Sequence, residues 1–291
     1  PIFANLPRVS KMLPDLEFTG FVVDPIFNVA MMTKEPDEVE RIRKMGKITT
    51  EVVGRVAELL TSQKVENEVL VKADGHPLTI GEVKSKIDLW LAELGAVNPE
   101  ATIFAIGRDA GIPHSAGTPT DLLRLGQTIV FDIFPCEAGG GYFYDFTRTW
   151  SLGYATDEAQ QLYDQVHRVY KDLMTGLKVN QKFTEVQERT CDLFDAMGHT
   201  TVRSQPGAME GYIHSIGHGI GLKIHEMPFS GAAATPEDIL APGTVFTIEP
   251  GLYYPSRGMG VRIEDSIYTH PDGRFEILAD YPYDFVLPMK R

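Results

Sequence analysis

The sequence has few cysteines and few positive charges for its length. Cys136 and Cys191 are the two cysteines among 291 residues, too few for a disulfide framework and too far apart for a cysteine-rich zinc site. Lysine and arginine number 27 against 40 aspartates and glutamates, which gives a net charge of -13. Binding of nucleic-acid phosphates needs a basic face. Nucleic acid is therefore not expected as a partner, and a reducing, cytoplasmic setting is expected.

Long apolar runs are also missing. No stretch of 18 or more apolar residues occurs, so no membrane-spanning helix is predicted, and no charged-then-apolar leader is visible at the N-terminus. Hydrophobic residues make up 43% of the chain and charged residues 23%, the usual balance for a folded domain with a substantial core. Residues 1–33 lack a clear period and are expected to be a lead-in or the remnant of an upstream domain. Residues 34–291 are expected to form a single domain.

Helical periodicity begins at Pro36, which suits the first turn of a helix over 36–60. Its apolar stripe comprises Val39, Ile42, Met45, Val52, Val56 and Leu59, a pattern typical of core packing. A weak internal repeat aligns segments 79–95 and 184–198, which both read as amphipathic helices that end at a glycine. Further helices are predicted before each of them, over 36–60 and 157–177, and strand-like segments follow. This shared order predicts two related α/β halves.

Four acids lie in segments rich in β-branched and aromatic residues, which are predicted to be strands over 127–135, 142–150, 244–254 and 260–270. Asp132 and Asp145 lie about equally far from the middle of the glycine-rich segment that joins the first two. Glu249 and Glu264 are equidistant from a turn at 256–257. If each pair closes as a hairpin, its two acids fall opposite each other. Like charges placed so are destabilising, and two such pairs indicate a bound cation.

Alone, each of these residues has an ordinary explanation. A single acid in a strand commonly lies at an edge with its side chain in water, and the glycine run 139–141 is a flexible turn rather than a phosphate loop, since no helix with Lys-Ser/Thr follows it. Together, four carboxylates would be neutralised by two divalent cations. Oxygen-rich sites with one imidazole suit Mn²⁺, Co²⁺ or Zn²⁺, and two such ions can share a hydroxide that hydrolyses a peptide.

Three of the eight histidines stand in one short stretch, HSIGHGIGLKIHE, at His214, His218 and His225. Glycine at 217, 219 and 221 makes a helix costly there, so an extended chain is predicted. Even spacing then places His214 and His218 on one face, whereas His225 has the opposite parity unless a bend re-aims it. One of these histidines can therefore bind metal while its neighbours contact substrate.

These motifs resemble the M24 metallopeptidases, the family of methionine aminopeptidase, aminopeptidase P, prolidase and creatinase. The five metal ligands of the family correspond to Asp132, Asp145, His218, Glu249 and Glu264, in the segments VFDIFP, YDFTRT, HSIGHGIG, TIEPG and VRIED. The resemblance implies that Asp145 and Glu264 bridge two metal ions, with Mn²⁺ expected first and Co²⁺ or Zn²⁺ as alternatives, and that Glu249 shares the proton of the attacking water. It also implies an α+β fold, the pita-bread fold, with two pseudo-symmetric α/β halves around curved antiparallel sheets.

Residues beside the ligands resemble the aminopeptidase P and prolidase branch. His214 precedes the histidine ligand by four residues, His114 stands in GIPHSAGT, Arg262 stands in GVRIED, and His225 resembles the histidine that helps to hold the scissile carbonyl. The resemblance implies an enzyme that cleaves Xaa-Pro bonds at the N-terminus of peptides or dipeptides by a metal-bridging hydroxide. The implied partners are short peptides with proline in second position and a second copy of the chain in a homodimer, with neither nucleic acid nor membrane.

The sequence departs from the branch at several points. Phe134 follows Asp132-Ile133 where the family commonly has glycine, the segment between the two aspartates is about two residues longer, and His225 is followed by Glu226 rather than aspartate. The upstream domain typical of the branch is expected to be missing, apart from its last strand or linker.

Alternatives on the same fold stay open. Methionine aminopeptidase is disfavoured by His114 and His214, and creatinase by the intact ligand set. A hydrolase of compatible solutes such as ectoine remains an alternative. A non-catalytic binding module is disfavoured, since such domains lose ligands.

Overall fold

The computed structural model of the chain describes residues 11–15, 25–232 and 234–290. The helices are α1 (Pro25–Met32), α2 (Pro36–Thr61), α3 (Ile80–Glu93), α4 (Asp157–Gly176) and α5 (Phe183–Ala196). The strands up to residue 152 are β1 (Lys64–Glu66), β2 (Val69–Val71), β3 (Ala96–Val97), β4 (Ile103–Ile106), β5 (Thr128–Ile133), β6 (Cys136–Glu137) and β7 (Phe146–Leu152). The later strands are β8 (His218–Gly219), β9 (Glu226–Phe229), β10 (Val245–Ile248), β11 (Gly251–Tyr254), β12 (Met259–Arg262), β13 (Asp265–Thr269), β14 (Phe275–Ile277) and β15 (Val286–Leu287).

The helices agree with the predicted periodicity. Helix α2 has Pro36 in its first turn and a capping box between Glu35 and Glu38, which satisfies backbone donors that a helix start leaves free. Its predicted apolar stripe is buried except for Leu59, which is partly buried against the same core. The two repeat helices α3 and α5 are followed by Gly95 and Gly198 with φ of 77° and 86°, the left-handed conformation that glycine adopts after a helix. Within the described residues, no helix combines the length and the apolar character needed to cross a bilayer.

Two sheets form the two halves of the molecule. The first has the order β15-β7-β5-β4 and shares a buried core with α2 and α3. The second has the order β14-β13-β10-β8-β9, and residues of its strands share a second core with α4 and α5. Between the strands named above, pairing is antiparallel apart from β15 with β7. The predicted pair of α/β halves is therefore confirmed.

The predicted lead-in over residues 1–33 lies partly outside the described residues. Within it, α1 contacts β9, and Thr33 forms an isolated antiparallel bridge with Thr244, next to the start of β10. The end of this segment is thus tied to the second sheet.

Two predicted strands are broken, and the breaks lie at the predicted acids. The segment 244–254 divides into β10 and β11 at Glu249 and Pro250, because proline lacks the N–H that a continuing ladder requires. The segment 260–270 divides into β12 and β13 around Glu264, whose backbone N–H donates instead to the carbonyl of Thr147 in β7 (3.1 Å). This bridge joins the sheets of the two halves.

The register of the second hairpin is as predicted. Ile248 pairs with Asp265 and Gly251 pairs with Arg262. The same register on both sides of the break places Glu249 level with Glu264.

The register of the first hairpin was predicted wrongly by two residues. Asp132 lies opposite Thr147, not Asp145, and β7 begins at Phe146. The reason is the turn, where Gly139 and Gly140 both have φ of 89° and move the centre of the hairpin later in the chain. Because Asp145 and Thr147 differ by two positions, both still lie on the face of Asp132.

Candidate metal centre

All nine predicted site residues line one cavity of about 260 Å³. They are His114, Asp132, Asp145, His214, His218, His225, Glu249, Arg262 and Glu264. Strands β5, β8 and β12 carry Asp132, His218 and Arg262, and the remaining residues stand in the turns and breaks between strands. The cavity therefore lies where the two sheets meet, and both halves contribute to it.

Asp145, His218 and Glu264 form a compact group in this cavity. One potential ligand atom of each lies within 4.8 Å of the others, and all three residues are buried. His218 Nε2 is 3.6 Å from Asp145 Oδ2 and 3.4 Å from Glu249 Oε1. The arrangement has the size and donor types of a divalent-cation site.

Several buried oxygens in the cavity have no hydrogen-bond partner among the described residues. They are Oδ1 of Asp132, Oδ1 of Asp145 and Oε1 of Glu264. Buried polar atoms without a partner are costly and rare in folded proteins. His218 contributes a free nitrogen as well, because its Nδ1 donates to the carbonyl of Gly219 (3.0 Å) and leaves the Nε2 lone pair facing the carboxylates. These groups fit divalent metal ions.

The electrostatics of the buried carboxylates also favour a bound cation. Burial, followed by the charge of neighbouring acids, raises the pKa of Asp145 and of Glu264 well above the ordinary range. Burial also raises the pKa of Glu249 to about 8. Burial lowers the pKa of His218 to about 3, so this imidazole is neutral and able to donate its lone pair. Without a compensating cation, the acids cannot all be charged together.

Arg262 is buried and contacts protein groups on every side. Its Nη2 donates to Asp132 Oδ2 (2.5 Å), its Nε to Thr147 Oγ1 (3.2 Å), and its Nη1 to Tyr253 Oη (2.8 Å) and the carbonyl of Pro113 (3.1 Å). The guanidinium thus connects β5, β7 and β11 with the loop that carries the neighbouring His114.

The four histidines form two contacting pairs. The Nε2 atoms of His114 and His214 are 2.9 Å apart, and the rings of His218 and His225 lie edge to face with centroids 4.3 Å apart. The chain bends over 221–225, and this bend brings His225 to the same cavity despite its opposite parity.

The glycines of this stretch stand where the backbone is closely approached. A Cβ on Gly217 would lie 2.1 Å from the carbonyl oxygen of Thr247, and one on Gly219 would lie 2.0 Å from that of Met227. The predicted extended conformation is confirmed by the pairing of β8 with β9 and β10.

Sequence reasoning missed Thr147, which links the halves of the cavity. Its hydroxyl donates to Glu264 Oε2 (2.6 Å) and accepts from Arg262. The available signal was its position two residues after Asp145, on the same face of the strand. Sequence reasoning also missed the apolar side of the cavity, formed by Ala101, Ile103, Ala116, Phe134 and Ile224, and the acid Glu100.

The model of "Metallopeptidase family M24" matches residues 40–271. A probable dipeptidase PepE of Mycobacterium tuberculosis is 30% identical over 256 residues, which cover 88% of this chain and 60% of the relative. The Xaa-Pro dipeptidase of Pyrococcus furiosus is 28% identical over 251 residues, covering 86% and 64%.

Solved structures show the same likeness. A dipeptidase of Pyrococcus horikoshii OT3 superposes with a TM-score of 0.74 at 27% identity, covering 92% of this chain and 67% of that one. The prolidase of Pyrococcus furiosus superposes with a TM-score of 0.72 at 26% identity, covering 89% and 68%. The chain spans about three fifths of the length of the first curated relatives it matches.

Proposed function

The chain belongs to metallopeptidase family M24 and has its pita-bread fold, and from this premise we propose that it hydrolyses Xaa-Pro bonds at the N-terminus of short peptides or dipeptides. One observation carries the proposal: Asp132, Asp145, His218, Glu249 and Glu264 line one cavity together with the histidine pair His114 and His214. Relatives that cover most of this chain are named as dipeptidases and Xaa-Pro dipeptidases, which supports the substrate class. Residues 34–291 are proposed as the catalytic domain.

The proposed cofactors are two divalent cations, with Mn²⁺ preferred and Co²⁺ or Zn²⁺ as alternatives. The oxygens of Asp132, Asp145, Glu249 and Glu264 and Nε2 of His218 would hold them. Bound ions would supply Lewis acidity toward the scissile carbonyl and lower the pKa of water. The buried, unpartnered carboxylate oxygens and the free imidazole nitrogen support this assignment.

Glu249 is proposed to hold the proton that the attacking water releases. Its carboxylate is buried in the cavity, with Oε1 3.4 Å from Nε2 of His218, a position that suits a group that must accept a proton from the attacking water and return it to the leaving amine. Thr247 donates to Glu249 Oε1 (3.2 Å) and fixes the orientation of the carboxylate.

The histidines are proposed to hold the substrate. His114 and His214 form one contacting pair in the cavity, and the ring of His225 contacts that of His218. A neutral imidazole N–H directed at the position of the developing oxyanion stabilises charge there. Arg262 is proposed to act in part through Asp132 and the loop of His114, because its donors are engaged by these groups.

The assay that tests this proposal compares Xaa-Pro dipeptides with Met-Ala peptides in the presence of added Mn²⁺. We expect hydrolysis of leucyl-proline and no hydrolysis of Met-Ala peptides, with activity lost in the Asp145→Ala variant. Cleavage of Met-Ala peptides would support methionine aminopeptidase instead. Turnover of ectoine alone would support a solute hydrolase, and no turnover with metal bound would support a binding module.

A homodimer in the cytoplasm is also proposed. Cys136 and Cys191 are buried and free, as is usual in a reducing compartment. Light scattering of the purified chain tests the dimer, which a mass of about 32.3 kDa would contradict.

A further inference from the structure

One carboxylate of the cavity has no paired cation in the part of the chain that the structure describes. Glu100 lines the cavity at an exposed position on the loop between β3 and β4. Among the described residues, no lysine, arginine or histidine forms an ion pair with it, and its charge acts on the neighbouring imidazole of His225, which burial keeps neutral. The other acids of the cavity differ, because Asp132 is paired with Arg262 and the remainder surround His218.

The loop of Glu100 is held in a defined shape. Asn98 Nδ2 donates to Oγ1 of the buried Thr102 (2.6 Å), which closes the loop at its base. Between them, Ala101 has φ of 67°, a left-handed conformation that is unfavourable for alanine and persists only where the surrounding structure determines it. Because Glu100 and Ala101 both line the cavity, this conformation sets the position of the acid at its edge.

An apolar surface extends beside Glu100. Ile103 and Phe134 belong to a small buried cluster, and Ile224 packs against the same cluster. All three line the cavity together with Ala101 and Ala116. An unbranched aliphatic chain can lie along such a surface while its polar tip stays near water.

A cavity lined by apolar residues and by a carboxylate without a paired cation matches a side chain with an aliphatic stem and a cationic tip. We propose that Glu100 binds the side-chain cation of a lysine or arginine that precedes proline, and that it selects such peptides over those with an uncharged residue. This inference rests on the proposed Xaa-Pro activity and names the residue preference of the same cavity.

The α-ammonium group of the substrate has the same chemistry as a lysine side chain, so the experiment separates the two. Lysyl-proline and norleucyl-proline both carry the α-ammonium and the same four-carbon stem, and the first alone carries a side-chain cation. We expect wild type to show a kcat/KM for lysyl-proline about two- to fivefold higher than for norleucyl-proline, the range of an exposed ion pair. Glu100→Gln should abolish this preference by raising KM for lysyl-proline alone.

The matched control is Glu93→Gln, which removes the same charge from an exposed glutamate paired with Arg55 outside the cavity. This variant should leave kcat/KM for both substrates unchanged. The preference of wild type should also fall as salt is added, because an exposed pair is screened. If the ratio of kcat/KM for lysyl-proline to that for norleucyl-proline is the same in Glu100→Gln as in wild type, the proposal is overturned. An equal loss for both substrates also overturns it, and indicates binding of the α-ammonium instead.

Failure of the proposed Xaa-Pro activity can be distinguished from failure of the inference about Glu100. If wild type hydrolyses neither dipeptide, the Xaa-Pro assignment fails, and titration calorimetry of the two dipeptides with wild type and Glu100→Gln then tests the inference by binding alone. Tighter binding of lysyl-proline that depends on Glu100 supports the preference, and equal binding overturns it.

Discussion

The Nε2 atoms of His114 and His214 lie 2.9 Å apart, within hydrogen-bond distance. Nδ1 of His214 lies 2.9 Å from the carbonyl oxygen of Ser215 and 3.4 Å from Glu249 Oε2, so it carries the proton and donates. Burial lowers the pKa of His214 to about 3 and also lowers that of His114. Both imidazoles are therefore neutral near pH 7, and His214 Nε2 accepts a hydrogen bond from Nε2–H of His114.

We expect His114 and His214 to be needed for turnover but not for metal binding. We expect His214→Ala to keep its bound metal and to lose turnover by about 10²-fold or more, since it removes the hydrogen-bond partner that holds the His114 ring in place beside the substrate. His114→Ala should behave likewise. Elemental analysis and kcat measured on the same samples check this prediction, and nitrogen NMR of wild type should show His114 protonated at Nε2.

The control for the His114–His214 pair is His218, the proposed metal ligand. If His214→Ala loses metal while His218→Ala keeps it, the roles of the two histidines are reversed.

Replacement of a proposed ligand should release metal. His218→Ala removes the neutral nitrogen of the group Asp145, His218 and Glu264, and Asp145→Ala removes a carboxylate of the same group. We expect both variants to bind less than the two ions proposed for wild type. Added Mn²⁺ should raise the melting temperature of wild type, because a ligand that binds only the folded state stabilises it. A metal content of Asp145→Ala equal to that of wild type would contradict the assignment of Asp145 as a ligand.

Part of this cavity could be predicted from sequence because strand pairing is regular. The register that places Glu249 level with Glu264 follows from a short turn between two strands. The register of Asp132 with Asp145 did not follow, because the position of the left-handed glycines within a longer loop shifts the pairing by two residues. Alternation along a strand preserved the shared face even so.

The cross-links between the halves were beyond prediction from local pattern. The pairing of Thr147 with Glu264 joins residues 117 positions apart, and no local periodicity carries such information. The same holds for the contact of Arg262 with the carbonyl of Pro113. Glu100 escaped notice because an exposed acid in a loop is ordinary until its neighbours in space are known.

A buried ion pair supports the stretch that carries His225. The Lys34 ammonium contacts the Glu226 carboxylate, and the two side chains are 2% and 1% exposed. Burial lowers the pKa of Lys34 and raises that of Glu226. Either Lys34→Met or Glu226→Gln should cost about 3–5 kcal/mol of unfolding free energy, because each leaves a buried group unpaired.

The double variant Lys34→Met/Glu226→Gln should cost less than the sum of the single changes, as measured by urea denaturation. The exposed pair of Lys290 with Glu58 supplies the comparison, and Lys290→Met should change stability by less than about 1 kcal/mol. Additive costs for the buried pair would show that Lys34 and Glu226 do not interact in solution.

The backbone beside the proposed histidine ligand tolerates no side chain at Gly219. A Cβ there would lie 2.0 Å from the carbonyl oxygen of Met227 and 2.7 Å from the nitrogen of Pro228. Both are backbone atoms, so Gly219→Ala must part β8 from β9, at a cost of about 1–3 kcal/mol or more. Because His218 precedes it in the same strand, metal content should fall with stability. Gly231→Ala is the matched control, since its nearest neighbour, Ser215 Cβ, is 3.4 Å away. Thermal melts and elemental analysis of the two variants should separate them, and equal behaviour would contradict the close approach of these strands.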